Sequence, residues 1–62
     1  MTDNIRDFYK TEIEYLQASR HELHELRVRT NDIETIAKLE IAIANLKIEI
    51  VRLEVRIHEL ED

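Results

Sequence analysis

The chain has 62 residues, a formal net charge of −5 at pH 7, and no Cys, Gly or Pro. This size limits it to one domain, and so small a domain usually needs disulfides, a metal or oligomerisation to be stable. Because Cys is absent, disulfides are excluded, and oligomerisation becomes the leading expectation. The excess of acidic side chains argues against non-specific binding to nucleic acid, which requires cations placed on phosphates.

The absence of Gly and Pro favours helices, because sheets and irregular folds depend on these residues for their turns. We therefore predict an all-α fold in a single domain, 1–62, built as an antiparallel helical hairpin. Helix 1 is expected at about 3–29, the turn at about 30–31 and helix 2 at about 32–61. One long continuous coiled-coil helix, with a stutter where the hydrophobic phase shifts near the middle, remains the alternative.

Helix 1 has an interrupted apolar stripe, in which Glu12 and Ser19 occupy positions that an apolar residue would otherwise fill. Phe8 and Tyr15 lie off this stripe and are candidate contacts for a partner, because aromatic side chains dominate interface hot spots. Packing of these two rings on the end of helix 2 is the alternative. The stripe that we expect to pack inside the hairpin consists of Ile5, Tyr9, Leu16, Leu23 and Leu26.

The junction between the two helices consists of residues that compete with the helix for backbone hydrogen bonds. Asn31 and Glu34 have the spacing of a capping box, with Asn31 as the predicted N-cap of helix 2. Equal helix lengths and a short connection are typical of an αα-hairpin.

Helix 2 carries the clearest pattern of the chain, four heptads with only Ile at position a and only Leu at position d. In parallel coiled coils this choice favours two strands. We call these residues the Ile/Leu seam and predict that they form the oligomer interface. They are Ile36, Leu39, Ile43, Leu46, Ile50, Leu53, Ile57 and Leu60.

A second apolar row runs along helix 2 at heptad positions b and f, about 150° around the helix from the Ile/Leu seam at 100° per residue. A helix with two apolar faces is expected to have neighbours on both sides. We call this row the b/f stripe. It consists of Ala37, Ile41, Ala44, Ile48, Val51 and Val55.

The sequence alone assigns helix 1 to the b/f stripe, because the small side chains of Ala37 and Ala44 would let bulky leucines approach closely. That assignment leaves the Ile/Leu seam exposed, and soluble monomers avoid an apolar patch of this size. The predicted assembly is therefore a homodimeric four-helix bundle whose core contains the seams of two copies, with a tetramer as the alternative.

No constellation for catalysis is predicted. His21, His24 and Glu25 share a helix face, but the two histidines lie three residues apart, whereas the zinc-protease motif places them four apart. We interpret them as solvated residues and expect no metal, no cofactor and no enzymatic activity. Neither an apolar run long enough for a membrane helix nor a signal peptide is recognisable, so the expected address is cytoplasmic.

The sequence thus predicts a small homo-oligomeric protein-interaction module, acting as adaptor, assembly factor or inhibitor of a larger protein. A phage or mobile-element origin is one interpretation of its small size. One alternative is a hairpin dimer that binds RNA or DNA, since the architecture resembles that of the small dimeric helical-hairpin RNA-binding proteins of plasmid copy control. A purely structural or designed oligomerisation module is the other. The basic residues of helix 1 are Arg6, Lys10, Arg20, Arg27 and Arg29.

Overall fold

The computed structural model describes the backbone of residues 2–61 and the side chains of residues 4–61. It contains two α-helices, α1 (Thr2–Arg29) and α2 (Ile33–Glu61), which pack against each other along their length. Arg6 near the start of α1 pairs with Glu61 at the end of α2, so the helices run antiparallel. The predicted all-α hairpin is confirmed, and the described residues contain no strand.

The turn between the helices is short because Asp32, three residues after the end of α1, is already the N-cap of α2. Its carboxylate accepts hydrogen bonds from the backbone N–H of Thr35 at 3.0 Å and from the Thr35 hydroxyl at 2.6 Å. Its carbonyl accepts the first helical bond, from Ile36 N–H at 2.9 Å. The N-cap is therefore Asp32 and not Asn31, because the carboxylate reaches the N–H three residues on, as N-cap side chains do.

Two hydrogen bonds of Thr30 complete the turn. Its N–H donates to the carbonyl of Leu26 at 3.1 Å, and its hydroxyl accepts from the N–H of Asp32 at 3.3 Å. No described residue of the chain has a positive φ. Backbone and side-chain hydrogen bonds thus close the turn without a left-handed residue, and so it forms without Gly.

The inner face of α2 is the Ile/Leu seam. Ile50 is only 5% exposed, and it is the one buried residue among those described. The other seven members of the seam are half-buried. The hydrophobic contact of the hairpin is thus centred on Ile50, near the middle of α2.

The inner face of α1 combines apolar and charged side chains. Tyr9, Leu16 and Leu23 are half-buried, and Ile13 lies beside them. Three positions before Tyr9 and Leu23 come Arg6 and Arg20, which are half-buried as well. Arginine can cover apolar surface with its methylene stem while its guanidinium stays at the rim. The face of α1 that lies against α2 therefore includes half-buried arginines in addition to the predicted apolar residues.

The structure corrects the assignment of the two faces of α2. Helix α1 lies on the Ile/Leu seam, and the b/f stripe, predicted to pack inside the hairpin, is exposed along its whole length. The physical reason is area: eight large aliphatic side chains remove more apolar surface from water than a row containing two alanines and two valines. The prediction that the seam forms the oligomer interface loses its premise, because α1 already lies on it. The two outer members of the predicted α1 stripe, Ile5 and Leu26, are also about half exposed.

The hairpin is a thin rod, with extents of 47 × 14 × 10 Å over its Cα atoms. Its accessible surface is 5103 Å², whereas a compact monomer of this mass is expected to expose about 4,200 Å². The elongated shape leaves one layer of side chains between the helices and turns the remaining apolar residues to solvent.

Candidate protein-interaction surface

The b/f stripe is the longest exposed apolar row on the described part of the chain. Ile41 is 63% exposed, and Ile48, Val51 and Val55 are each about half exposed. Ile33, at 81% exposure, lies four residues before Ala37 and extends the row by one turn. The predicted stripe does not include Ile33, although its spacing from Ala37 could have placed it there. A row of this kind on a rigid helix is a candidate site for packing by another helix.

Charged side chains line both edges of the b/f stripe. Glu40, Lys47 and Glu54 follow one edge at seven-residue intervals, and each is exposed. Lys38 and Glu59 lie on the other edge, as does Arg52, which pairs with Glu49 at 3.6 Å. The edges carry both signs of charge, so a helix packed on the stripe would be selected for direction and register by the order of these charges.

Two ion pairs join the helices at one edge of their contact. Arg27 approaches Glu40 to 2.8 Å, and Arg6 approaches Glu61 to 3.7 Å. The two arginines lie three heptads apart on α1, and the two glutamates lie three heptads apart on α2. The two ion pairs therefore fit a single antiparallel alignment of α1 and α2. In this alignment Arg20 lies across from Lys47 and Leu46.

A second group of exposed apolar residues lies on α1. Phe8 is 64% exposed and Tyr15 is 67% exposed, and neither ring is covered by the end of α2. Phe8 contacts the ring of Tyr9 edge-on, with centroids 5.9 Å apart. Since Tyr9 belongs to the inner face, this contact ties Phe8 to the hairpin while most of its ring stays accessible. Helical spacing puts Ile5 and Leu26 on the same side of α1.

The histidines form no metal site in the described part of the chain. His21 lies 3.1 Å from the carboxylate of Glu25, one turn later, and both side chains are largely exposed. Among the residues searched, no three His, Asp or Glu side chains come together to hold an ion. The pair of residues therefore acts as a surface contact between successive turns of α1.

The carboxylate of Asp32 caps α2 through two hydrogen bonds from Thr35. Hydrogen bonds from the Thr35 hydroxyl and the Thr35 backbone N–H lower the pKa of Asp32 below its usual value of 3.8. These bonds stabilise the ionised form, which is the form that caps the helix.

No helix among the described residues is long and apolar enough to cross a membrane. Comparison with protein families, with curated protein sequences and with solved structures found no match to this chain.

Proposed function

We propose that this protein is a small homo-oligomeric helical-hairpin module for protein interaction, acting as an adaptor, assembly factor or inhibitor of a larger protein. The observation that carries the proposal is the exposed b/f stripe, with Ile41, Ile48, Val51 and Val55 all at least 48% exposed on one rigid helix. An apolar row of this length on a small acidic protein is typical of an interaction surface.

The surface area of the hairpin supports self-association. Its 5103 Å² exceeds the value expected for a compact monomer of this mass by about 900 Å². A standard protein–protein interface removes about 800 Å² from each partner. Covering the b/f stripe with a second copy would bring the hairpin close to the exposure of an ordinary globular protein.

The coiled-coil pattern then serves two contacts. Within the chain, the a and d positions of α2 pack against α1. Between chains, the b and f positions repeat with the same four-three spacing and supply a second seam. The assembly is a dimer of hairpins with four helices, as the sequence predicts, but the residues at the dimer contact are those of the b/f stripe.

Self-association through α2 leaves the outer side of α1 for a target protein. Phe8 and Tyr15 offer two accessible rings seven residues apart, which puts them on one face of the helix two turns from each other. Rigid aromatic side chains of this kind are common anchors in interfaces. In this proposal α2 assembles the module, and α1 presents the binding surface.

The proposed self-association is tested by replacing Val with Glu at either of two exposed positions, in two separate variants. Val51 lies within the b/f stripe at 48% exposure, and Val28 lies on α1 at 80% exposure. We expect Val51→Glu to be a monomer by size-exclusion chromatography with light scattering, and Val28→Glu to keep the oligomer of the wild type. Circular dichroism should show both variants to be as helical as the wild type, because Glu is a good helix former. Oligomers retained in Val51→Glu would contradict the proposal.

A further inference from the structure

We infer that the b/f stripe is occupied by the same stripe of a second copy, with the two α2 helices antiparallel and Ile48 of each chain packed against Val51 of the other. This inference rests on the proposed self-association and adds its direction and register. The choice among possible arrangements comes from the charges along the two edges of the stripe.

A parallel pair would place like charges together. In parallel coiled coils, a residue on one edge of the core packs beside the residue on the opposite edge of the partner that is five positions later in the sequence. Lys47 would then meet Arg52 of the partner, and Glu54 would meet Glu59 of the partner. By symmetry each repulsive contact would occur twice, so the edge charges disfavour this direction.

The antiparallel register brings opposite charges together on both edges. With Ile48 against the partner's Val51, Lys47 lies across from Glu54 of the partner on one edge. On the other edge, Lys38 lies across from Glu59 of the partner. Each contact again occurs twice. In the core of the contact, Ala44 faces Val55 of the partner, so a small side chain meets a larger one, as close packing of layers requires.

The one unfavourable edge contact in this register is offset within each hairpin. Glu40 comes near Glu61 of the partner, but both carboxylates are already held by arginines of their own chain. Arg27 binds Glu40 at 2.8 Å and Arg6 binds Glu61 at 3.7 Å. The ion pairs that join α1 to α2 thus also neutralise the outer edge of the proposed contact.

The antiparallel pair that lies one heptad away, with Ile48 against Ala44 of the partner, loses this complementarity. Lys47 would then face Lys47 of the partner, and Glu40 would face Glu54 of the partner. Because the b/f stripe lies about 150° from the Ile/Leu seam, the proposed dimer is a flat row, α1–α2–α2–α1, and not a bundle around one shared core.

Charge reversal tests the direction and the register together. We expect Lys47→Glu and Glu54→Lys each to raise the dimer dissociation constant about tenfold, since two symmetric contacts change from attraction to repulsion. The double variant should return to within about threefold of the wild type. In a parallel dimer both single changes would replace repulsion by attraction and strengthen the dimer. In the antiparallel dimer with Ile48 against Ala44 of the partner, Glu54→Lys would do so, because position 54 faces Glu40 of the partner. Tighter association of Glu54→Lys would therefore overturn the inference.

A distance measurement gives an independent result. The chain has no Cys, so Glu34→Cys in the first turn of α2 can carry a single spin label outside the overlap of the two helices. In the antiparallel register the two labels lie about 45 Å apart at 1.5 Å per residue, whereas in a parallel pair they lie about 15 Å apart at the usual interaxial distance. The short distance would overturn the inference and leave self-association standing. A wild type that is monomeric at every concentration would instead remove the proposed function on which the inference rests.

Discussion

Arg27 donates two hydrogen bonds to one carboxylate oxygen of Glu40, from Nη2 at 2.8 Å and from Nε at 3.1 Å. This contact joins the last turn of α1 to the second turn of α2, directly above the connection between the helices. It lies at the edge of the contact between the helices, where both side chains are about half exposed.

We expect Arg27→Gln to lower the free energy of unfolding by no more than about 1 kcal/mol, because both side chains are about half exposed and water screens the pair. The measurement is urea unfolding followed by circular dichroism, at low salt and in about 1 M NaCl, where screening acts over about 3 Å. The difference between variant and wild type should shrink in high salt. An undiminished difference would mean that Arg27 acts mainly through packing.

Ile50→Ala should lower the free energy of unfolding by about 2–4 kcal/mol, because Ile50, of the side chains in 4–61, is the one most completely removed from water. Ile41→Ala is the matched control, since Ile41 is 63% exposed. At a concentration low enough for the hairpin to be monomeric, the control should change stability by less than about 0.5 kcal/mol. Equal losses in the two variants would contradict the observed orientation of α2.

Arg20→Leu should stabilise the hairpin by about 1–2 kcal/mol. Arg20 is half-buried on the inner face, makes no ion pair among the described residues, and lies across from Lys47 in the register of the hairpin. Leucine would extend the apolar contact and remove a like charge. Arg29→Leu is the control, because the Arg29 side chain is 75% exposed. Thermal melting of both variants at one concentration provides the comparison.

The stability of the turn should depend on the ionisation of Asp32. Its pKa is lowered in the folded chain by the two hydrogen bonds from Thr35. The stabilisation is therefore complete well above pH 3.8, falls as the pH drops below that unfolded value, and is lost once the folded pKa is passed.

The variants Asp32→Asn and Asp32→Ala separate capping from charge. Asparagine is as good an N-cap as aspartate, so Asp32→Asn should melt within a few degrees of the wild type near pH 7 and lose this acid dependence. Asp32→Ala should melt several degrees lower near pH 7. Melting curves between about pH 2 and pH 7 measure both effects. An unchanged acid dependence in Asp32→Asn would contradict the role of Asp32.

The fold could be predicted from the sequence because composition and the spacing of Ile and Leu in α2 both indicate helices. The face of α2 that α1 covers could not be predicted from the sequence. Judged by size alone, Ala37 and Ala44 allow close approach, but the total area of the Ile/Leu seam decides which side α1 covers. The inner face of α1 was predicted incompletely, since Arg6 and Arg20 do not count as apolar in a hydrophobic pattern although both are half-buried. Likewise, Asn31 and Asp32 are both good N-caps, and only the geometry of the turn distinguishes them.

Sedimentation equilibrium of the wild type, over about a hundredfold range of concentration, is the most direct test of self-association through the b/f stripe. Self-association through the b/f stripe predicts a mass that rises from that of the 7.5 kDa chain to twice that value, while circular dichroism shows a helical protein throughout. A helical chain that keeps the monomer mass at every concentration would contradict it.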